Sequence, residues 1–305
     1  MSMWISRLGA ALAALAVALT LTACGSDNGG GGGGGAASNK KTTATAVDKK
    51  VAGEVPAAIK KKGTLTVAAD ATYAPNEFIG PNGKTVEGMD ADLAKALAGV
   101  MGLKANVVNG TFDAIIPGLA NGKYDLGMSS FTDTKEREKT VDFVTYFSAG
   151  TSFYVKAQGG PTVGSLAQVC GHTVAVEKGT TQAADVTSQN KKCKSSGKPE
   201  AKLLTFPDQN GANLAISSGR AQIGMADSPV AAYQVKKSNG QFKTVGQPYG
   251  TAPYGIAIPK GNGMAKPVLD ALKALMSNGK YKAILSKWGI ADGAITNPVI
   301  NGATS

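Results

Sequence analysis

The sequence predicts an α/β protein made of two similar halves. Short apolar segments that read as strands alternate with longer segments whose apolar residues recur at helical spacing. The alternation runs through the chain twice, once on each side of a central polar stretch near residue 130. Several strands also end in Gly/Thr/Asp loops that open helices, and in open α/β sheets ligands bind outside those strand ends.

In the first half, Gly63 to Ala69 is a strand, and Asp70-Ala-Thr-Tyr73-Ala-Pro75 is the loop leaving its carboxyl end, which places Asp70 and Tyr73 at a crevice. Asn82-Gly83 marks a hairpin between Phe78-Ile79 and Val86. The run Gly80 to Thr85 lacks the first glycine of a phosphate loop, which would fall at Phe78, so no nucleotide site is read there. Leu93, Leu97 and Val100 share one face of a helix from Met89 to Met101 that stops at Gly102, and Ala105 to Val108 is the next strand. Phe112 begins a further helix that ends near Gly122.

Lys123 to Met128 then reads as a short strand, and Thr132-Asp-Thr-Lys-Glu-Arg137 as a turn whose Thr134 can cap a helix. Hydroxyls at Ser129, Ser130 and Thr132 with the guanidinium of Arg137 can converge on a small carboxylate. The plainer alternative is a solvated loop in which Arg137 pairs with Glu136. Val141 to Phe147 and Thr151 to Lys156 follow as strands.

The second half repeats the scheme. Cys170 to Val176 is a strand feeding Glu177-Lys-Gly179-Thr180-Thr181-Gln182, which opens a helix and offers a second anion cradle. Leu203 to Phe206 is a strand, Asn210 to Ser218 a helix, and Ala221 to Asp227 a strand ending in a carboxylate. Thr244 to Tyr254 leads into Gly255 to Pro259, and helices over Lys266 to Met276 and Tyr281 to Trp288 close the pattern.

Ahead of these halves, residues 1–23 carry Arg7, an apolar run too short to span a bilayer, and Leu-Thr-Ala before Cys24. This is the form of a secretory signal peptide, and Leu-Thr-Ala-Cys resembles the bacterial lipobox, which implies lipidation of Cys24. Residues 24–54, rich in Gly, Ala, Ser, Lys and Thr, have the composition of a disordered tether. The net charge of +11 sits partly in and just after the tether, with no Arg-rich helix or basic aromatic stripe, which argues against nucleic acid as a partner. Cys170 and Cys193 remain, and in an oxidising compartment the arithmetic pairs them. Cys170-Gly-His172 has too few ligand-type neighbours for a metal, and no cofactor motif is present.

Taken together, Asp-Ala-Thr-Tyr-Ala-Pro, Gly-Met-Asp-Ala-Asp-Leu, Phe-Asp-Ala-Ile-Ile-Pro-Gly-Leu, Ser-Ser-Phe-Thr-Asp-Thr-Lys-Glu-Arg, Gly-Thr-Thr-Gln and the late Lys-Trp-Gly closely resemble the polar amino-acid family of solute-binding proteins that serve ATP-binding-cassette importers. The resemblance covers Gly63 to Gly289. It implies a two-lobed periplasmic-binding-protein type II fold with a two-strand hinge, one lobe from residues 55–150 plus 251–305 and the other from 151–250. It further implies a monomer, lipid-anchored at the outer face of the cell membrane, that captures an amino acid and delivers it to a permease.

By the same resemblance Arg137, Thr132 and Thr181 hold the ligand carboxylate, Asp227, Ser130 and Thr132 its ammonium, and Tyr73 and Phe112 sandwich it. Asn76 departs from the family's usual Tyr-x-Pro-Phe-Glu. Asp70, three residues before Tyr73, would face the distal end of the ligand, with Gln182 adding a neutral contact and Glu177 a second acid. Two acids favour a cationic side chain over an acidic one, with a neutral amide as the alternative. An enzyme resembling cyclohexadienyl dehydratase, with Glu177 or Glu77 as general acid, and a ligand-reporting sensor are the competing readings. A single histidine, His172, leaves no serine triad.

Overall fold

The computed structural model describes residues 45–304; the expected signal peptide, Cys24 and the tether up to residue 44 lie outside them. The chain enters through α1 (Lys49–Glu54) and α2 (Ala57–Lys62). Asp48 caps α1 by accepting from the amides of Lys50 and Val51, and Val51 and Val55 join the main core. The expected tether therefore ends before residue 49: a capping aspartate and two apolar anchors suffice to seat an otherwise polar segment.

Next comes β1 (Thr64–Ala69), then a small side sheet of β2 (Thr72–Tyr73), β3 (Glu77–Ile79) and β4 (Val86–Glu87). The Asn82-Gly83 turn lies between the last two, Asn82 accepting from the amides of Lys84 and Thr85. α3 (Met89–Val100), β5 (Lys104–Asn109), α4 (Phe112–Ala120), β6 (Leu126–Gly127) and α5 (Lys135–Glu138) complete this half. Leu65 and Val67 of β1 pack toward α3, whereas Ala68 packs toward α4, as the two-residue period of a strand requires.

The 16-residue β7 (Val141–Lys156) leaves this lobe. Its two ends read as separate strands in sequence, but Ser148-Ala149-Gly150 stays extended between them. The second half holds β8 (Thr173–Glu177), α6 (Thr181–Ser195), β9 (Lys202–Phe206), α7 (Gln209–Ser217), β10 (Ile223–Asp227) and α8 (Ser228–Lys237). α8 is an element the sequence reading passed over, although Ser228-Pro229 after a strand is a good helix start. The 18-residue β11 (Phe242–Pro259) returns the chain, and α9 (Ala265–Ser277) and α10 (Lys280–Trp288) pack on the first lobe.

All strands but the side sheet form one sheet, in the order β5-β1-β6-β11-β7-β10-β8-β9. β1 runs parallel to β5 and β6, and β8 parallel to β9 and β10. β7 and β11 pair antiparallel from Val141–Pro259 to Lys156–Phe242, passing through both lobes, so they are the two-strand hinge. Their register breaks between Val245 and Tyr249, between Tyr249 and Ala252, and between Tyr254 and Gly255, so the pairing is loosest where the strands cross from lobe to lobe. The expected lobe boundaries at 150 and 251 fall inside these strands.

A disulfide joins Cys170, before β8, to Cys193 on α6, with the Cα atoms 5.8 Å apart. On the loop-entropy argument a closure of this size contributes about 3 kcal/mol. Gly88, at φ +123°, is the sharpest backbone requirement near the site, because an added Cβ would collide with the Asn76 carbonyl. Gly88→Ala is expected to cost about 3 kcal/mol or more, from the strained φ and the displaced backbone together. Urea unfolding checks it.

Candidate functional site

The carboxyl ends of β1 and β6 meet those of β8 and β10 across the hinge. The cleft between them is lined by Asp70, Tyr73, Phe112, Ser129, Ser130, Thr132 and Arg137 from one lobe and by Glu177, Thr180, Thr181, Gln182 and Asp227 from the other. The ten positions expected to contact a ligand are brought together, and with them Glu177, expected as a second acid, and Thr180 of the second anion cradle.

Thr134 caps α5 by accepting from the Arg137 amide at 3.2 Å, which fixes the base of the arginine side chain. Its Nη1 donates to the Thr132 carbonyl at 2.8 Å, and its Nη2 donates across the cleft to the Gly179 carbonyl at 3.0 Å. The guanidinium carbon rests 5.3 Å from the Phe112 ring centre and 5.5 Å from that of Phe131, and these two rings stack at 4.5 Å. The Glu136 pairing weighed in the sequence is not made: Glu136 pairs with Lys139 instead. Burial lowers the Arg137 pKa to about 10, so the group stays charged at neutral pH. Two of its five N–H donors are committed to backbone carbonyls, leaving a cation that can take a carboxylate. Opposite it, Thr180 caps α6, accepting from the Ala183 amide at 3.3 Å and donating to the Glu177 carbonyl at 2.7 Å.

Asp227 is the counterpart of Arg137. Its carboxylate accepts from Gln182 Nε2 and from Tyr254 Oη, each at 2.7 Å, and its amide donates to Tyr73 Oη at 2.9 Å. Burial raises its pKa, while the Tyr254 and Gln182 hydrogen bonds pull it back. Gln182 Nε2 also donates to Thr151 Oγ1 at 2.9 Å. Thus Gln182, expected as a neutral ligand contact, holds the carboxylate instead, and the Tyr73 hydroxyl ties the lobes. Tyr254 was missed in the sequence because it lies mid-hinge, in a strand with no local signal of polarity.

Ser129 and Ser130 also differ from expectation. The Ser129 hydroxyl accepts from the Asp70 amide at 2.8 Å and donates to Glu77 at 3.0 Å. The Ser130 hydroxyl accepts from Asn76 Nδ2 at 2.9 Å and lies 3.2 and 3.3 Å from the carboxylates of Asp90 and Glu77. Both hydroxyls serve a buried acid pair behind the cleft rather than converging on a ligand. Burial and the charge of Asp90 hold Glu77 well above the usual carboxylate range. Asn76 is fully buried in this network and is no part of the cleft wall.

Asp70 and Glu177 line the cleft from opposite lobes, close enough for the charge of Asp70 to act on Glu177. Asp70 accepts from Thr72 Oγ1 at 2.7 Å and from the Phe112 amide at 2.9 Å, so it also caps α4. Glu177 is 2% exposed, and its Oε1 has no hydrogen-bond donor among the described residues. Burial first, and the Asp70 charge second, push its pKa up to about 10. Two carboxyl groups so placed need a shared proton or a cation between them. The lobes are further tied by the Gln209 amide donating to Thr72 Oγ1 at 3.1 Å and by a 2.8 Å ion pair of Lys178 with Asp113.

This arrangement is a closed clamp with a fixed cation on one wall and carboxylates on others, and comparison with known proteins agrees with it. The arginine-binding protein ArgT of Corynebacterium glutamicum is 35% identical over 206 residues, 67% of each chain. An ancestral arginine-binding protein bound to arginine superposes with a TM-score of 0.69 at 36% identity, covering 74% of this chain and 98% of that one. An ancestral arginine-binding protein bound to glutamine gives a TM-score of 0.69 at 36% identity, covering 75% of this chain and 98% of that one. All three bear the name of arginine-binding proteins. The profile of the bacterial extracellular solute-binding proteins, family 3, matches residues 65–291, and the chain belongs to that family.

Proposed function

We propose that the polar amino acid this binding protein captures for its ATP-binding-cassette importer has a cationic side chain, with arginine the first candidate. The facing carboxyls of Asp70 and Glu177 carry the reading. In an open cleft Glu177 is hydrated and ionised, so closure must bring either a proton or a positive group to the pair. A guanidinium offers donors to both acids at once. A glutamate side chain would meet two like charges, whereas a glutamine amide could donate to Asp70 and leave the proton on Glu177, so glutamine is the second reading. The arginine-binding and glutamine-bound relatives support this pair of candidates.

In this reading Arg137, with Thr132 and Thr181, takes the α-carboxylate, Asp227 takes the ammonium, and Tyr73 and Phe112 form the apolar walls. The protein works outside the cytoplasm as a monomer, held to the outer face of the membrane by a lipid on Cys24. Labelling cells with a fatty acid tests the anchor: label should enter the wild type and be absent from Cys24→Ala.

The ligand is tested by competition among arginine, glutamine and glutamate on residues 25–305, read by thermal shift. A ligand at 100 times its dissociation constant adds about 2.7 kcal/mol. Arginine should prevail, and Asp70→Asn should narrow its lead over glutamine. A wild-type preference for glutamate would end the charge argument.

A further inference from the structure

The matched family span ends at residue 291, yet the segment beyond it is firmly built into the first lobe. Val299 and Thr145 exchange backbone hydrogen bonds with each other's peptide and hydroxyl groups, at 2.9 Å from the Thr145 amide to the Val299 carbonyl and 2.9 Å from the Val299 amide to Thr145 Oγ1. Ile300 bridges to Val144. The Asn301 side chain accepts from the Phe143 amide at 2.8 Å and donates to Asp142 at 3.1 Å. The segment therefore covers the edge of β7, which in this lobe has no strand beyond it among the described residues.

From that edge it reaches the turn that carries Arg137. The Gly302 amide donates to Asp133 Oδ2 at 2.8 Å, and the Ala303 amide donates to Glu138 Oε1 at 3.1 Å. These two acids bracket Arg137, and Glu138 is also paired with Lys135 at 2.9 Å. The segment packs closely at Gly302, where a Cβ would sit 2.7 Å from Val299 Cγ2 and 2.8 Å from Thr145 Cγ2, so that a side chain would have to shift to admit one. On its other side the turn is held by the Asp133 amide donating to the Pro253 carbonyl at 2.8 Å.

We infer that residues 299–303 act as a clasp on the arginine turn, and that Asp133 and Glu138 are positioning residues for ligand binding although neither lines the cleft. A one-turn helix tied to the sheet through β11 alone would leave the backbone that carries Arg137 less firmly set. With both amides of the clasp in place, Asp133, Thr134 and Glu138 fix the peptide planes from which Arg137 projects. Asp133 is fully buried, and burial, ahead of the Glu138 charge, raises its pKa to about 6. An amide side chain can thus replace it while keeping the acceptor for Gly302.

The inference rests on Arg137 gripping the ligand, as proposed above, but not on the ligand being cationic. Hydrogen exchange over residues 132–138 and ligand affinity are measured on the full chain for Asp133→Ala, Asn301→Gly and Asp133→Asn. The first two should speed exchange in the turn about tenfold and weaken arginine binding about tenfold, the scale of one or two lost hydrogen bonds. Exchange in α7 of the other lobe should not change, and Asp133→Asn should stay within about twofold of wild type on both measures. Unchanged exchange in the turn, faster exchange with unchanged affinity, or an Asp133→Asn protein as damaged as Asp133→Ala would each overturn the clasp. If wild type binds glutamine and not arginine, the cationic reading fails, and the same comparison made with glutamine still decides this one.

Discussion

Replacing Arg137 with alanine is expected to weaken amino-acid binding by about 2–5 kcal/mol, the range for truncating one partner of a buried charge pair. The loss has two sources in the structure. In the proposed binding mode the ligand carboxylate would be enclosed with no countercharge, beside a Phe112 ring that offers it nothing. The bond from Nη2 to the Gly179 carbonyl, which helps hold the lobes together, would vanish too. Arg137→Lys should recover only part of the affinity, because an ammonium cannot bond the Thr132 carbonyl, the Gly179 carbonyl and a carboxylate in one plane. Titration calorimetry with arginine decides it: an Arg137→Ala protein that binds within a few-fold of wild type removes the α-carboxylate from this wall.

Much of the architecture was legible because the chain marks its elements locally. Asn82-Gly83, the Thr134 and Thr180 caps, and the apolar stripe of α3 each state their structure within a few residues. The path between lobes was not local. That β7 and β11 run unbroken through both halves depends on pairing between residues as far apart in the chain as Val141 and Pro259, so the crossing came from resemblance and not from pattern. α1 and the segment after α10 were missed for a related reason: the main core that takes Val51 and the β7 edge that takes residues 299–301 are distant in sequence.

For the cleft, sequence reasoning placed residues better than it assigned their work. Ser129, Ser130 and Gln182 do line the cleft, yet their donor groups are directed to Glu77, Asp90, Thr151 and Asp227. A strand end shows which residues arrive at a crevice but not which way a hydroxyl turns, and that depends on buried acids supplied by β3 and α3. Glu177 is the converse case. As the last residue of β8 it could be placed and read as a second acid, but its burial beside Asp70 appears only with the lobes closed.

Glu177→Gln should therefore change selectivity more than overall affinity. Loss of one charge-assisted hydrogen bond would cost arginine about 1.5–3 kcal/mol, while glutamine, which needs that group neutral, should bind about as well as before or better. The protons give a sharper measure. The closed cleft raises Glu177 from an ordinary carboxylate value of 4.5 to about 10. A group raised in the closed state favours closure fully below its open-state pKa and loses that contribution as pH rises toward the closed-state value. At neutral pH, closing on a neutral ligand must take up about one proton at the acid pair, whereas closing on a cation need not, since the positive group satisfies both carboxylates. Calorimetry in two buffers of different ionisation enthalpy should accordingly show proton uptake with glutamine, little with arginine, and none with glutamine on the Glu177→Gln protein. Equal uptake with arginine and glutamine on the wild type would mean that the ligand side chain does not meet this pair.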